Sequence, residues 1–290
     1  MTIIARSGNS GARMDSRQEG FTLTEAIIVI VILGVLASAV AVFIRGPVQA
    51  YFDVNRRAQL VDTADTALRR MHRELKGALP NSVRIGGTCT GAGNCYLEFI
   101  PVAAGGRYRS AQTGPASPTG NILDFTTADT SFDIIGSAIT IPAGTSWLVV
   151  YNLGISGADA YSGAAAATDV RRQYSGAAGS VSAINFSSTA RLPFESPSKR
   201  FQIVTTPVTY ECAPGAGALR RYSGYGFSSS QAAGAPGGTA TVLASNVTAC
   251  NFVYAQQAGR RAGLVALTLQ LTQGGETISL YYQVHVSNVP

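Results

Sequence analysis

The chain has 290 residues, of which 46% are apolar and only 13% charged, with a formal net charge of +6. That apolar fraction excludes a charged, disordered chain, and a small basic excess spread along the sequence does not by itself indicate nucleic-acid binding. Few charges beside 32 glycines suit a β-rich extracellular domain with long loops.

Residues 1–20 are polar, with Arg6, Arg13 and Arg17 set against Asp15 and Glu19. From Phe21 to Ile44 the chain is almost wholly apolar, FTLTEAIIVIVILGVLASAVAVFI. As a helix these residues would reach about 36 Å, enough to cross a bilayer. The arginines before the run would hold the N-terminus in the cytoplasm and leave the remainder outside. Glu25 is out of place in it, because a carboxylate in lipid costs about 3 kcal/mol. Simpler readings exist. Thr22-Leu23-Thr24-Glu25 fits a capping box, Ala37-Ser38-Ala39 resembles a secretory peptidase site, and the run could be a plain anchor. The peptidase reading is opposed by the apolar sequence continuing to Ile44. The other two do not explain the polar leader.

A helical pattern resumes over Val48–Leu79. Val54, Val61, Ala64, Leu68, Met71, Leu75 and Leu79 form its apolar stripe, while Arg56, Arg57, Arg69, Arg70, Arg73 and Lys76 lie largely off it. The spacing predicts a bend at Gly46-Pro47 and an end at Pro80. His72 reads as a surface residue. The divisions are therefore 1–20, 21–45, 46–79 and 80–290.

Beyond Pro80 the pattern predicts short strands at Tyr96–Val102, Ile122–Thr126, Phe132–Ile135, Ile139–Ile141 and Trp147–Leu153. Further strands are predicted at Phe201–Cys212, Leu219–Tyr222, Ala240–Leu243, Cys250–Ala255, Leu264–Thr272 and Thr277–Val286. The last two flank Gln273-Gly274-Gly275-Glu276, a hairpin turn with paired glycines. Ala103–Asn121, Gly154–Ser180 and Ser228–Thr239 read as surface loops. The fold class is α+β, one long helix packed on a β-rich domain.

Cys89, Cys95, Cys212 and Cys250 are an even set in an exported chain, which suggests two disulfides, although four cysteines allow three pairings. Cys89–Cys95 would close a short loop containing Gly91 and Gly93, and Cys212–Cys250 a longer one. Enzyme chemistry finds no constellation. His72 and His285 are the only histidines, and Gly154-Ile155-Ser156-Gly157-Ala158 lacks the last glycine of a nucleophile elbow. No catalytic, cofactor-binding or metal-ligating set is predicted. An alternative class is a binding module for DNA or a surface ligand. It would use the arginine pairs at 56–57, 171–172, 220–221 and 260–261, with Tyr174, Tyr222 and Tyr225 stacking on bases.

Glu19-Gly20-Phe21-Thr22-Leu23-Thr24-Glu25, followed by the apolar run, resembles the class III signal of type IV pilins and type II secretion pseudopilins. The resemblance implies cleavage by prepilin peptidase between Gly20 and Phe21 and N-methylation of Phe21. It also implies that Glu25 pairs with the methylated amine of a neighbouring subunit. Other pilins and the inner-membrane assembly platform would be partners. Gly46–Tyr51, Arg56–Asp62, Ala64–Met71, Leu79–Arg84 and Tyr282–Pro290 are similar to the MshO-type minor pilins of MSHA pili, a group related to the J-type minor pseudopilin of type II secretion. That similarity implies a low-abundance subunit that starts or caps a filament.

Overall fold

The computed structural model describes residues 20–89, 93–114, 119–231, 234–255 and 262–290. The leader arginines, Gly91 and the Arg260–Arg261 pair lie outside the described residues. The chain forms two compact units, Met1–Val54 and Asn55–Pro290.

A single helix, α1, covers Leu23–Lys76. The sequence places a bend at Gly46-Pro47, but the backbone stays helical through both residues. A proline there withholds one amide hydrogen bond and does not end the helix. From Asn55 onward α1 buries Leu60, Ala64, Ala67, Leu68, Met71 and Leu75. The predicted stripe is corrected at its start, because Val61 is 38% exposed and Val54 is 69% exposed. Seven residues fall about 20° short of two full turns, so a stripe counted back by sevens from Leu75 rotates off the buried face. The helix also stops before Leu79. The Gly77 and Ala78 amides turn to the Glu74 and Leu75 carbonyls, and the Leu79 amide then bonds Ile100 O at 2.7 Å.

Among the described residues sixteen strands follow: β1 (Arg84–Gly87), β2 (Cys95–Phe99), β3 (Val102–Tyr108), β4 (Ser131–Ile135), β5 (Ile139–Ile141), β6 (Trp147–Val149), β7 (Arg171–Tyr174) and β8 (Gly179–Val181). The others are β9 (Ala183–Ser187), β10 (Arg200–Val204), β11 (Val208–Ala213), β12 (Ala218–Ser223), β13 (Thr239–Ser245), β14 (Val247–Ala255), β15 (Ala262–Gln273) and β16 (Glu276–Ser287). They form an antiparallel five-stranded sheet β1-β2-β11-β12-β13, a three-stranded sheet β14-β15-β16, a ribbon β5-β8 and a closed barrel β10-β3-β4-β9-β7-β6.

The buried face of α1 shares one core with both open sheets: Leu97, Phe99, Tyr210 and Leu219 from the first, Val265, Leu267, Leu269 and Val284 from the second. Asn246, at φ 61°, is the only residue between β13 and β14, so the chain passes from one sheet to the other in one step. Cys212–Cys250 joins β11 to β14, and Cys89–Cys95 closes the β1–β2 hairpin. The terminal hairpin pairs Gln273 with Glu276 across Gly274 and Gly275, both at positive φ, as the paired glycines predict.

The barrel is an insertion. β2 and β11 are neighbours in register, Phe99 opposite Val208, and all six barrel strands lie between them in sequence. Its interior is a second core built on Tyr108, Phe132, Leu148, Phe186, Phe201 and Ile203. A third cluster around Leu79, Ile100, Val149, Tyr161 and Val204 lies where the barrel strands meet the chain leaving α1. Several strand expectations are corrected here. The segments 103–121 and 154–180, read as surface loops, carry β3, β7 and part of β8. The stretch 122–126 is no strand, because the Asp124 carboxylate accepts hydrogen bonds from the Thr126 amide and from the Thr126 and Thr127 hydroxyls. The run 201–212 is two strands, broken at Thr205-Thr206-Pro207.

Candidate functional site

The first unit presents a helix start with an exposed apolar surface. Gly20 and Phe21 precede α1 and are exposed, Phe21 to 77%. Thr22 caps the helix: its Oγ1 accepts the Glu25 amide at 3.3 Å, and its carbonyl accepts the Ala26 amide at 3.1 Å. This is one half of a capping box. The reciprocal half is missing, because the Glu25 carboxylate has no hydrogen-bond or ion-pair partner among the described residues. Beyond it, the large apolar residues from Ile27 to Ile44 are at least 42% exposed. α1 contains a window long and apolar enough to cross a membrane, none of it buried inside the chain. A water-exposed surface of this kind would cost roughly 25 cal/mol per Å², so it requires lipid or other helices around it.

The second unit buries charge, and the pattern is one of structural pairing. Glu98 and Glu211 are 3% and 5% exposed on adjacent strands β2 and β11. Arg84 bonds Glu98 at 2.7 Å, lies 3.6 Å over the Tyr161 ring, and donates to the Ser228 and Ser229 carbonyls. Glu211 accepts from Tyr96, Arg220 and Tyr222 at 3.2, 3.2 and 2.9 Å. Burial, reinforced by the charge of Glu98, pushes the Tyr161 and Tyr225 hydroxyls well above their ordinary range, so both act as donors. Tyr225 donates a hydrogen bond to Glu98 and Tyr161 one to the Ser82 carbonyl. Single carboxylates inside the apolar strands CYLEF and VTYECA were the visible sign of this network.

Among the described residues, most of the arginines and tyrosines considered for a nucleic-acid patch are occupied elsewhere, while Arg57 is exposed. Arg56 donates to the Gly274 carbonyl, Arg220 pairs with Glu211, and Arg221 pairs with Glu74 at 2.9 Å. Arg172 is fully buried, and Arg171 lies 3.7 Å over the Phe227 ring, with burial pushing its guanidinium down to about 10. Tyr222 and Tyr225 serve the carboxylates, and Tyr174 donates to Ala177 O. These groups hold the fold together and form no base-stacking surface among the described residues. His72 is partly buried edge-on to Tyr282. Among the described residues no group of three His, Cys, Asp or Glu side chains is arranged to hold a metal ion.

Against known families, residues 15–41 match the prokaryotic N-terminal methylation motif. No curated protein and no solved structure matches the chain. The matched segment contains Gly20, Phe21 and Glu25 and runs into the exposed apolar helix, and together they support a membrane-anchored, pilin-like protein.

Proposed function

We propose that this chain is a minor pilin or pseudopilin, held in the bacterial inner membrane by its apolar helix with the Asn55–Pro290 unit in the periplasm. Prepilin peptidase cuts between Gly20 and Phe21, Phe21 is N-methylated, and the assembly platform draws the helix into a filament. Segments similar to MshO-type minor pilins favour a subunit that initiates or caps an MSHA-like pilus.

One observation carries this reading. A methylation motif coincides with an unpartnered carboxylate on the first turn of an exposed apolar helix. Glu25 is costly alone in lipid. Beside the cationic amine of a neighbouring Phe21 it becomes half of a matched pair, and the filament is where such an amine is available.

Intact mass spectrometry of protein extracted from its native membrane tests the processing. The expected mass is that of a chain beginning at Phe21, with one added methyl group and the hydrogens of two disulfides missing. Retention of residues 1–20 in cells with working assembly machinery overturns it. Glu25→Val is expected to lower entry into sheared filaments roughly tenfold or more, read by immunoblot. Deletion distinguishes the systems: fewer pili supports the pilus reading, and loss of protein secretion with normal piliation supports the J-type pseudopilin reading.

A further inference from the structure

The outer surface of the barrel carries a cavity of about 250 Å³ that none of the filament chemistry uses. Its floor is a straight cross-strand row. Trp147 on β6 is opposite Gln173 on β7, and Gln173 is opposite Ser187 on β9. The three side chains therefore share one face of three adjacent strands. Ala164 and Ala165 form one wall, and Ser188 and Thr189 the other.

The walls are fixed. Thr189 Oγ1 reaches across to the Ala165 carbonyl at 3.2 Å. Beneath them the buried Arg172 guanidinium donates to Ala166 O at 3.1 Å under the first wall, and to Ala190 O and Arg191 O at 3.1 and 2.9 Å under the second. Asp169 accepts the Ala165 and Ala166 amides, and a Cβ at Gly163 would overlap its carboxylate, so only glycine lets the loop close this tightly. Trp147 is held from behind by Phe227, ring centroids 5.6 Å apart, and by Arg171 at 5.0 Å. Its indole nitrogen is buried, so the ring meets the cavity with carbon.

What faces the cavity is chemically specific. Gln173 and Ser187 are exposed, and neither side chain has a hydrogen-bond partner among the described residues. Between them they offer an amide donor, an amide acceptor and a hydroxyl. Among the described residues no charged side chain lines the cavity. An aromatic carbon surface next to uncharged donors and acceptors matches a ligand with an apolar C–H face and a rim of hydroxyls. An anion or cation would touch no counter-charge there, because the Arg172 guanidinium beneath is already taken up by carbonyls. The volume lies at the small end for small-molecule sites, room for one ring.

We infer that this cavity binds a neutral saccharide unit, with its C–H face on Trp147 and its hydroxyls on Gln173 and Ser187. Binding here is independent of whether the chain enters filaments.

Trp147 is the only tryptophan in the chain, so indole emission reports on this cavity alone. The full chain, held in a phosphocholine detergent that brings neither sugar nor tryptophan, is titrated with the methyl glycosides of glucose, galactose and N-acetylglucosamine, and with glutamate as a charged control. The expected result is a saturable emission change with at least one glycoside, with a Kd on the order of 1 mM, and none with glutamate. Gln173→Ala and Ser187→Ala are each expected to weaken binding about threefold to tenfold while leaving the Tm of the free protein unchanged. No saturable change with any of the three glycosides overturns the inference. So does an equal response to glutamate, or binding undiminished in both variants.

Discussion

Glu74 is the residue that fastens α1 to the five-stranded sheet, between Arg70 at 3.1 Å on its own helix and Arg221 at 2.9 Å on β12. Burial alone would raise its carboxyl, but hydrogen bonds from the guanidiniums outweigh that and hold it below its ordinary value of 4.5. A depressed carboxyl stabilises the fold fully above its unfolded value, and that contribution disappears as pH falls through the folded one. Glu74→Gln is therefore expected to cost about 1 kcal/mol at pH 7 and progressively less as pH falls below 4.5, measured by urea unfolding across that range. Arg172 makes a different case. Its guanidinium is fully buried and donates to five carbonyls, those of Ala166, Asp169, Arg171, Ala190 and Arg191. A lysine has three donors at one point and cannot span that set, so Arg172→Lys is expected to cost about 3 kcal/mol despite keeping the charge. The same urea unfolding experiment reads it.

Among the elements, the two disulfides differ in the chain they close. Cys212–Cys250 encloses a separation of 38 residues and Cys89–Cys95 one of 6. Loop-closure entropy then predicts losses of about 4 and about 2 kcal/mol when each pair is replaced by serine, a ranking that thermal unfolding of the two double variants would check. The elements also show what was legible in the sequence. The N-terminal helix and the last hairpin were readable because each carries its own signal, an unbroken apolar run and a Gly-Gly turn between alternating strands. β7 was not. Arg171-Arg172-Gln173-Tyr174 has no apolar alternation: Arg172 is buried among carbonyls 1 to 19 residues away and Arg171 against the ring of the remote Phe227, and neither arrangement leaves an apolar signal in the strand itself. β3 was hidden by Gly105 and Gly106, which read as loop. Gly106 has only about 3.0 Å between its Cβ position and the Phe201 ring, so the aromatic fills the space a side chain would take. The methylation motif was legible because it is contiguous. The cavity was not, because its floor comes from three strands joined only by folding.

At the scale of the second unit, two cores sit in one chain, one under α1 and one inside the barrel. Phe132 is at the centre of the second, 5.1 Å from Phe201 and 6.0 Å from Phe186 between ring centroids. Phe132→Ala is expected to cost about 3–5 kcal/mol. Because the cores are distinct, the variant should speed amide exchange in β3, β4, β6, β7, β9 and β10 well before it does so in β15, which hydrogen exchange with mass spectrometry would show. Uniform acceleration across both would mean that the cores unfold as one.

The Phe99–Val208 pairing has a practical corollary. Where two strand ends sit side by side, whatever is spliced between them must bring its own termini together and cover Leu79 and Ile100, and the host sheet then keeps its hydrogen-bonded ladder. This makes the junction a docking port for exchangeable cargo. A foreign domain with adjacent ends, grafted there in place of residues 102–204, should be carried by the same anchored helix.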